Sequence, residues 1–403
     1  MLKNPTGRQR IGLAFLLSML SILGPLNIDM YLPSFPEIAE DLGAQASLVQ
    51  LSLTACLLGI AVGQLIVGPI SDSKGRRKPL LISVFLFALS SLFCAFAPSI
   101  EMLIVGRFMQ GLTAAGGIVL SRAIVRDIFD GEALTKFYSL LMVITTVAPL
   151  VAPIAGGLIL LLPFANWGTI FLFLGLIGFI ILAVVGIKLK ETLPEEQRTP
   201  SSIGSTLRAM GGLLRDRSFM GYALIVGFVH GGSFAYVSGT PFVYQGIYGV
   251  SPQTFSILFG INGIALISGS YITGRFSGRE RALLRTAVLT ALTATAVLLI
   301  MTFVKGPLAS LVISIYIYMT AMGVVLTSSF SLAMEKQGHR AGSASAFLGM
   351  FPLLIGSAVS PLVGIDETTA VPLGAILFTT TLIGAISFFT LTKGTQEPQK
   401  NVA

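Results

Sequence analysis

The sequence predicts an all-α polytopic membrane protein: twelve transmembrane helices in two pseudo-symmetric six-helix bundles, with both termini cytoplasmic. Three observations carry this prediction. Only 11% of the 403 residues are charged, where soluble domains average about 25%, and the mean hydropathy is +0.86. Twelve apolar stretches have the ~20-residue length that a helix needs to cross the hydrocarbon. Lysine and arginine fall almost entirely in alternate connections between those stretches.

Taken in order, the first six stretches are 11–32, 47–70, 80–97, 102–125, 137–162 and 169–187, and the second six are 219–240, 254–273, 284–304, 308–334, 341–363 and 371–391. Gly, Pro and polar residues punctuate them. The first stretch follows Lys3, Arg8 and Arg10 as a secretory leader would, but it is longer than a leader and lacks an Ala-x-Ala exit, so a retained helix is expected. From the N-terminus, alternate connections carry 24 of the 26 lysines and arginines, while the opposite connections hold Lys305 together with acids such as Glu37, Glu40, Asp41, Glu101, Asp366 and Glu367. The positive-inside rule then places both termini in the cytoplasm. The net charge of +8 reports topology and contact with the inner leaflet, not nucleic acid.

This composition excludes a soluble enzyme, a disordered chain and a disulfide-stapled secreted domain. Cys56 and Cys94 lie in apolar runs, and His230 and His339 are far apart, so no disulfide framework or metal site is expected. A phosphate-binding GxxxxGK[ST] loop is absent from the sequence, as is HExxH, which argues against ATP-driven pumping and membrane-embedded catalysis.

Residues 1–187 and 218–403 form the two expected bundles, joined by a polar linker at 188–217. There, Ile203, Leu207, Met210 and Leu214 recur at helical spacing, as an amphipathic helix on the inner membrane face would require; a plain flexible linker is the alternative. The halves echo each other. Gly75-Arg76-Arg77-Lys78-Pro79-Leu80-Leu81 returns 203 positions later as Gly278-Arg279-Glu280-Arg281-Ala282-Leu283-Leu284. Ala148-x-x-x-Ala152-Pro153-x-x-Gly156 returns 208 positions later as Gly356-x-x-x-Ser360-Pro361-x-x-Gly364. Duplicated bundles are typical of secondary transporters, whose substrate site lies between the repeats near mid-membrane.

An ionisable group inside a span is a functional candidate by default. Asp29 lies four to seven residues from the outer end marked by Pro33 to Pro36, a depth of about 6–10 Å. Arg107 lies six residues past Glu101, a depth of about 9 Å. Matching depths allow a direct or water-bridged pair if the two helices are neighbours, and a carboxylate so placed can load and release a proton. The alternatives are an interfacial acid paired with water and, for Arg107, a clamp on neighbouring carbonyls. After the second span, Gly68, Asp72, Gly75, Arg76 and Arg77 combine a seven-residue glycine spacing with an acid among cations. A charge cluster that forms in one conformation and breaks in the other would act there as a latch.

These motifs resemble those of the major facilitator superfamily, in particular twelve-span drug:proton antiporters of the Bcr/CflA drug-resistance subgroup. The Gly68-to-Lys78 loop is similar to the superfamily's G-x-x-x-D-x-x-G-R-R/K signature, Arg107-Phe108-Met109-Gln110-Gly111 to the fourth-span R-x-x-Q-G signature, and Ala152-Pro153-x-x-Gly156-Gly157 to the fifth-span antiporter signature. Asp29-Met30-Tyr31-Leu32-Pro33 and Ser238-Gly239-Thr240-Pro241-Phe242 are similar to segments of the subgroup. The resemblance implies that Asp29 and Arg107 couple transport to protons. Gln110, Gly111, Pro149, Pro153, Gly156, Gly157, Pro361 and Gly364 become packing or hinge positions. Candidate cavity residues are Asn27, Tyr31, Met142, His230, Phe234 and Tyr236, whose aromatic, amphipathic and thioether side chains suit adaptable recognition; a packing role is the alternative for His230. The expected activity is export of small amphipathic or neutral compounds, driven by a proton gradient without a cofactor. The expected partners are small-molecule drugs or metabolites, protons and the lipid bilayer, with no nucleic acid, and the chain is expected to be a monomer. A proton-linked carrier of one metabolite is the second reading, and a membrane sensor the third.

Overall fold

The computed structural model describes residues 7–198, 203–276, 278–335, 337 and 341–392. Lys3, Lys336, His339, Arg340, Lys393 and Lys400, named or counted above, lie outside them, as does the 199–202 segment of the linker. Among the described residues the chain is helical, without a strand. The helices are α1 (Gly7–Asp29), α2 (Phe35–Asp41), α3 (Ala46–Lys74), α4 (Arg77–Ala95), α5 (Ile100–Ile128), α6 (Gly131–Ile159), α7 (Trp167–Lys188), α8 (Ile203–Leu213), α9 (Arg217–Pro241), α10 (Pro252–Arg275), α11 (Glu280–Phe303), α12 (Leu308–Met334), α13 (Ala341–Val359) and α14 (Val371–Leu391). Twelve helical segments are long and apolar enough to cross a membrane. In hydrocarbon the backbone must satisfy its own hydrogen bonds, so apolar stretches of this length become helices.

Local signals set several boundaries. Ser99, Asp216 and Ser251 accept hydrogen bonds from the backbone N–H groups of Met102, Phe219 and Thr254, and Asn166 with Thr169 forms a capping box at the start of α7. The α3–α4 turn needs Gly75, at φ +88°, and Gly278 adopts φ +89° at the corresponding turn between α10 and α11. This shared left-handed turn gives the sequence echo a conformational cause. The first span runs further than its apolar stretch. After α1 the chain passes through a 3₁₀ turn, Leu32–Ser34, into α2, so the helical segment continues to Asp41.

In the first half α5 packs on α1, α3 and α4, with α6 on α1 and α7 on α4. The second half repeats the pattern: α12 packs on α9, α10 and α11, with α13 on α9 and α14 on α11. The halves meet through two helix pairs, α3 with α13 and α6 with α10. A two-fold exchange of the halves swaps these pairs, since α3 and α10 are the second and eighth spans and α6 and α13 the fifth and eleventh. The linker helix α8 packs on α3 and α13, buries Met210 and Leu213, and leaves Arg208 exposed. The end of the bundle carrying the arginine-rich turns and α8 is called the basic end below; the opposite, carrying α2, Glu101 and Asp366, is the acidic end.

Candidate functional site: a cavity between the halves

The acidic end is where the halves interlock. The backbone N–H of Ala46, at the start of α3, donates to Glu367 Oε1 at 2.6 Å. Gln245 Nε2 donates to the Pro33 carbonyl at 3.1 Å, Gln50 Nε2 to Ser238 at 3.4 Å, and Gln253 Nε2 to Gly157 at 3.4 Å. Deeper, Thr54 Oγ1 donates to the Ser357 carbonyl at 3.2 Å, and the rings of Phe35 and Phe242 meet at 5.9 Å. Below this layer lies a cavity of about 340 Å³. Its lining runs from Asp29, Tyr236 and Asn262 near the interlocked layer to Ser21, Gln64 and Arg122 toward the basic end.

Asp29 lines this cavity, 5% exposed, and among the described residues its carboxylate has no hydrogen-bond or salt-bridge partner. Arg107, fully buried, does not pair with it. The Arg107 guanidinium donates to Asn27 Oδ1 at 2.5 Å, to the Asn27 carbonyl at 2.7 Å and to Gln110 Oε1, and it lies over the Tyr31 ring at 4.2 Å. Asn27 Nδ2 in turn donates to Cys56 Sγ at 3.2 Å. The depths do match, because Asn27 and Tyr31 bracket Asp29. Residues four apart share a face of the chain while the one midway points elsewhere, so Arg107 meets Asn27 and Tyr31 and Asp29 turns into the cavity. Arg107 thus has the geometry of the carbonyl clamp, its charge met by amide dipoles and aromatic faces.

At the basic end the loop residues form a cluster within the first half. Arg76 is buried: Nε donates to Asp127 Oδ2 at 2.9 Å, and Nη1 to Asp72 Oδ1 at 2.6 Å and Ser71 Oγ at 2.8 Å. Burial disfavours the Arg76 cation, yet Asp127 and Asp72 outweigh it and hold its pKa above the ordinary guanidinium value. The Glu191 carboxylate accepts the backbone N–H groups of Arg76 at 2.7 Å and Arg77 at 3.1 Å, and those of Thr192 and Leu193. Burial pushes its pKa up, and these four bonds more than reverse that, leaving it below the usual value. Arg77 Nη2 donates to the Gly186 carbonyl at 2.7 Å. The cluster ties α3, α4, α5 and the chain after α7 together. Gly75 is essential to the turn, whereas Gly68 does not mediate a close helix approach: nothing stands within 4 Å of where its side chain would begin.

The hinge candidates fall at helix contacts. Gly156 lies against the Met30 carbonyl, Gly111 against that of Cys56, Gly157 against Ser256, and Gly364 against Ser47 and Gln50 across the interface. Gln110 Nε2 donates to Ser91 at 2.7 Å. Pro149 lines the cavity, Pro153 is buried inside α6, and Pro361 opens the 3₁₀ turn after α13. Of the cavity candidates, His230, Phe234 and Tyr236 line it, with His230 stacked on Phe234 at 5.5 Å and Tyr236 on Phe259 at 5.1 Å. Asn27 and Tyr31 do not; they sit behind, around Arg107. Met142, 51% exposed, lines with Tyr138 a small recess that shares Ser21, Ile118, Arg122 and Thr145 with the cavity wall.

Sequence reasoning missed Gln64, Asn262, Met319, Met322 and Arg122, all in the cavity wall, and Asp127 and Glu191 in the basic-end cluster. Arg122 carried a signal: it lies inside the fourth apolar stretch, although topology alone assigned its charge to the following connection.

A model of the family described as Major Facilitator Superfamily matches residues 17–361. An uncharacterized MFS-type transporter, YdgK, of Bacillus subtilis (strain 168) is 72% identical over 395 residues, covering 98% of each chain. A bicyclomycin resistance protein homolog of Haemophilus influenzae is 32% identical, covering 93% of this chain and 95% of that one. Among solved structures, a bacterial homolog of the human lysosomal transporter Spinster, in an inward-facing and occupied conformation, superposes with a TM-score of 0.76 over 96% of this chain and 98% of that one, at 16% identity.

Proposed function

This chain belongs to the Major Facilitator Superfamily, and from that premise we propose that it is a proton-coupled exporter of small amphipathic or neutral compounds, including drugs, working by alternating access. It is a multi-pass protein of the bacterial cell membrane and not an enzyme. The observation that carries the proposal is Asp29: a carboxylate without a partner among the described residues, facing a largely apolar cavity between the two halves. An unpaired charge is costly there, so the group has reason to hold either a proton or a cationic ligand. The relative named for bicyclomycin resistance supports export.

With the basic end in the cytoplasm, the interlocked acidic end closes the outer side and the cavity lies toward the inside. A compound entering from the cytoplasm displaces the proton from Asp29. Rocking of the 1–187 bundle against the 218–403 bundle, with 188–217 as the tether, breaks the Ala46–Glu367 and Gln245–Pro33 bonds and opens the outer side. Reprotonation of Asp29 from outside favours the return. Arg107 acts as a positioning residue: it holds the Asn27-to-Tyr31 segment so that Asp29 faces the cavity. The driving force is the proton gradient, and no cofactor is involved.

The test uses purified protein in proteoliposomes with an imposed pH gradient. Asp29→Asn should abolish uphill transport of a neutral amphipathic substrate while equilibrium binding and counterflow persist. Uphill, pH-driven transport by Asp29→Asn would overturn the proposal.

A further inference from the structure

We propose that the cavity is built for bipolar compounds, with a cationic group seated at Asp29 and an anionic group at Arg122. This rests on reading the cavity as the substrate site and names the class of substrate it prefers. Arg122 lines the same cavity as Asp29. Its carbonyl accepts a hydrogen bond from Tyr138 Oη at 3.1 Å, but among the described residues no acceptor binds its guanidinium and no carboxylate pairs with it. Among the described residues the cavity therefore presents a buried carboxylate at one end and a solvent-exposed guanidinium at the other, neither paired with a charge of opposite sign.

Their spacing is fixed by helix packing. Ser121, beside Arg122 on α5, hydrogen-bonds Ser21 on α1 at 2.9 Å. Asp29 lies eight residues further along α1, a rise of about 12 Å. The two charges are thus held at opposite ends of the cavity, too far apart to form a hydrogen bond with each other. Between them the wall is mainly apolar, with Ile60, Ile118, Phe234, Phe259 and Met322, interrupted by Gln64, His230 and Asn262. A neutral amphiphile satisfies the wall and leaves both ends to water. A flat zwitterion satisfies all three regions.

The test compares two fluorescent probes that share one aromatic cation: rhodamine B, which carries a carboxylate, and its ethyl ester, which does not. Binding to the purified full-length protein is read by fluorescence anisotropy, without any gradient. Wild type should bind the zwitterion ~10-fold or more tightly than the ester, the size expected of one charge-assisted contact. Arg122→Gln should bring the ratio of the two dissociation constants close to one, and Arg122→Lys should restore part of it. Detergent partitioning is common to all variants and cancels from the comparison. A ratio near one in wild type, or a ratio unmoved by Arg122→Gln in a variant that still binds the ester, overturns the proposal. Because no proton gradient enters the measurement, failure of proton coupling in Asp29→Asn leaves this result standing, and failure here leaves the coupling result standing.

Discussion

Asn27 holds Arg107 through both its side-chain and its main-chain oxygen, at 2.5 Å and 2.7 Å. That double grip fixes the end of α1 against α5 and turns the intervening Asp29 toward the cavity. An arginine buried among apolar helices needs every acceptor it has. Asn27→Ala removes one of them and should lower stability by about 1–3 kcal/mol, read as a fall in thermal unfolding temperature in detergent. Asn27→Asp keeps an acceptor of the same size and should retain most of the stability. Equal melting of Asn27→Ala and wild type would mean that the grip is not structural.

The interlock at the acidic end rests partly on Glu367, whose carboxylate accepts from the N-terminal backbone of α3 in the other half. A carboxylate at a helix N-terminus contributes on the order of 1 kcal/mol, so Glu367→Gln should shift the population toward the outward-open state about fivefold. The measure is labelling of Ile60→Cys, a cavity residue, by a membrane-impermeant maleimide added to the acidic side, in a background with Cys56 and Cys94 changed to serine. Unchanged labelling would remove Glu367 from the interlock.

Glu191 gives the basic-end cluster a pH dependence. Its folded pKa lies below its ordinary value of 4.5 because four backbone N–H groups point at the carboxylate. A group shifted in that direction contributes stability that is complete above pH 4.5 and is lost as the pH falls through the folded value. Wild type should therefore lose more stability than Glu191→Gln on acidification from pH 5 to pH 3, the window set by that lowered pKa. Parallel loss in the two proteins would show that Glu191 gains nothing from its four donors.

Three glycines separate turn, contact and neither. Gly75→Ala puts a side chain at φ +88° and into the Glu191 carboxylate, and should cost about 1–2 kcal/mol. Gly156→Ala drives a methyl group into the Met30 carbonyl and should cost about 1–3 kcal/mol. Gly68→Ala meets nothing within 4 Å inside α3 and should be neutral or stabilising by about 0.5–1 kcal/mol. Thermal unfolding of the three variants under one condition ranks them, and a large loss in Gly68→Ala would restore that glycine to a packing role.

How much of this was legible beforehand follows from range. The twelve crossings were legible because each depends on its own run of apolar residues, and a helix in hydrocarbon satisfies its backbone within that run. The Gly75 and Gly278 turns were legible as an echo because a positive φ is a property of a single residue. Asp29 was singled out because an acid in an apolar run is costly wherever the helix stands. Pro33 and Pro36 marked the end of the first long helix, and α1 does stop just before them at Asp29; the short α2 that follows was not legible, since proline is also accepted in the first turn of a new helical segment.

The sequence by itself thus determined the class of the molecule, the number of its crossings, its internal repeat and the residues worth suspecting, all of which follow from composition and local spacing. Only the tertiary structure decided which suspects meet. It placed Asn27 rather than Asp29 beside Arg107, set Asp29 and Arg122 at the two ends of one cavity, and drew Asp127 and Glu191 to Arg76 from 51 and 115 positions away. Those outcomes depend on how helices rotate about their axes and which neighbours they find, and neither property is written in any single stretch of chain.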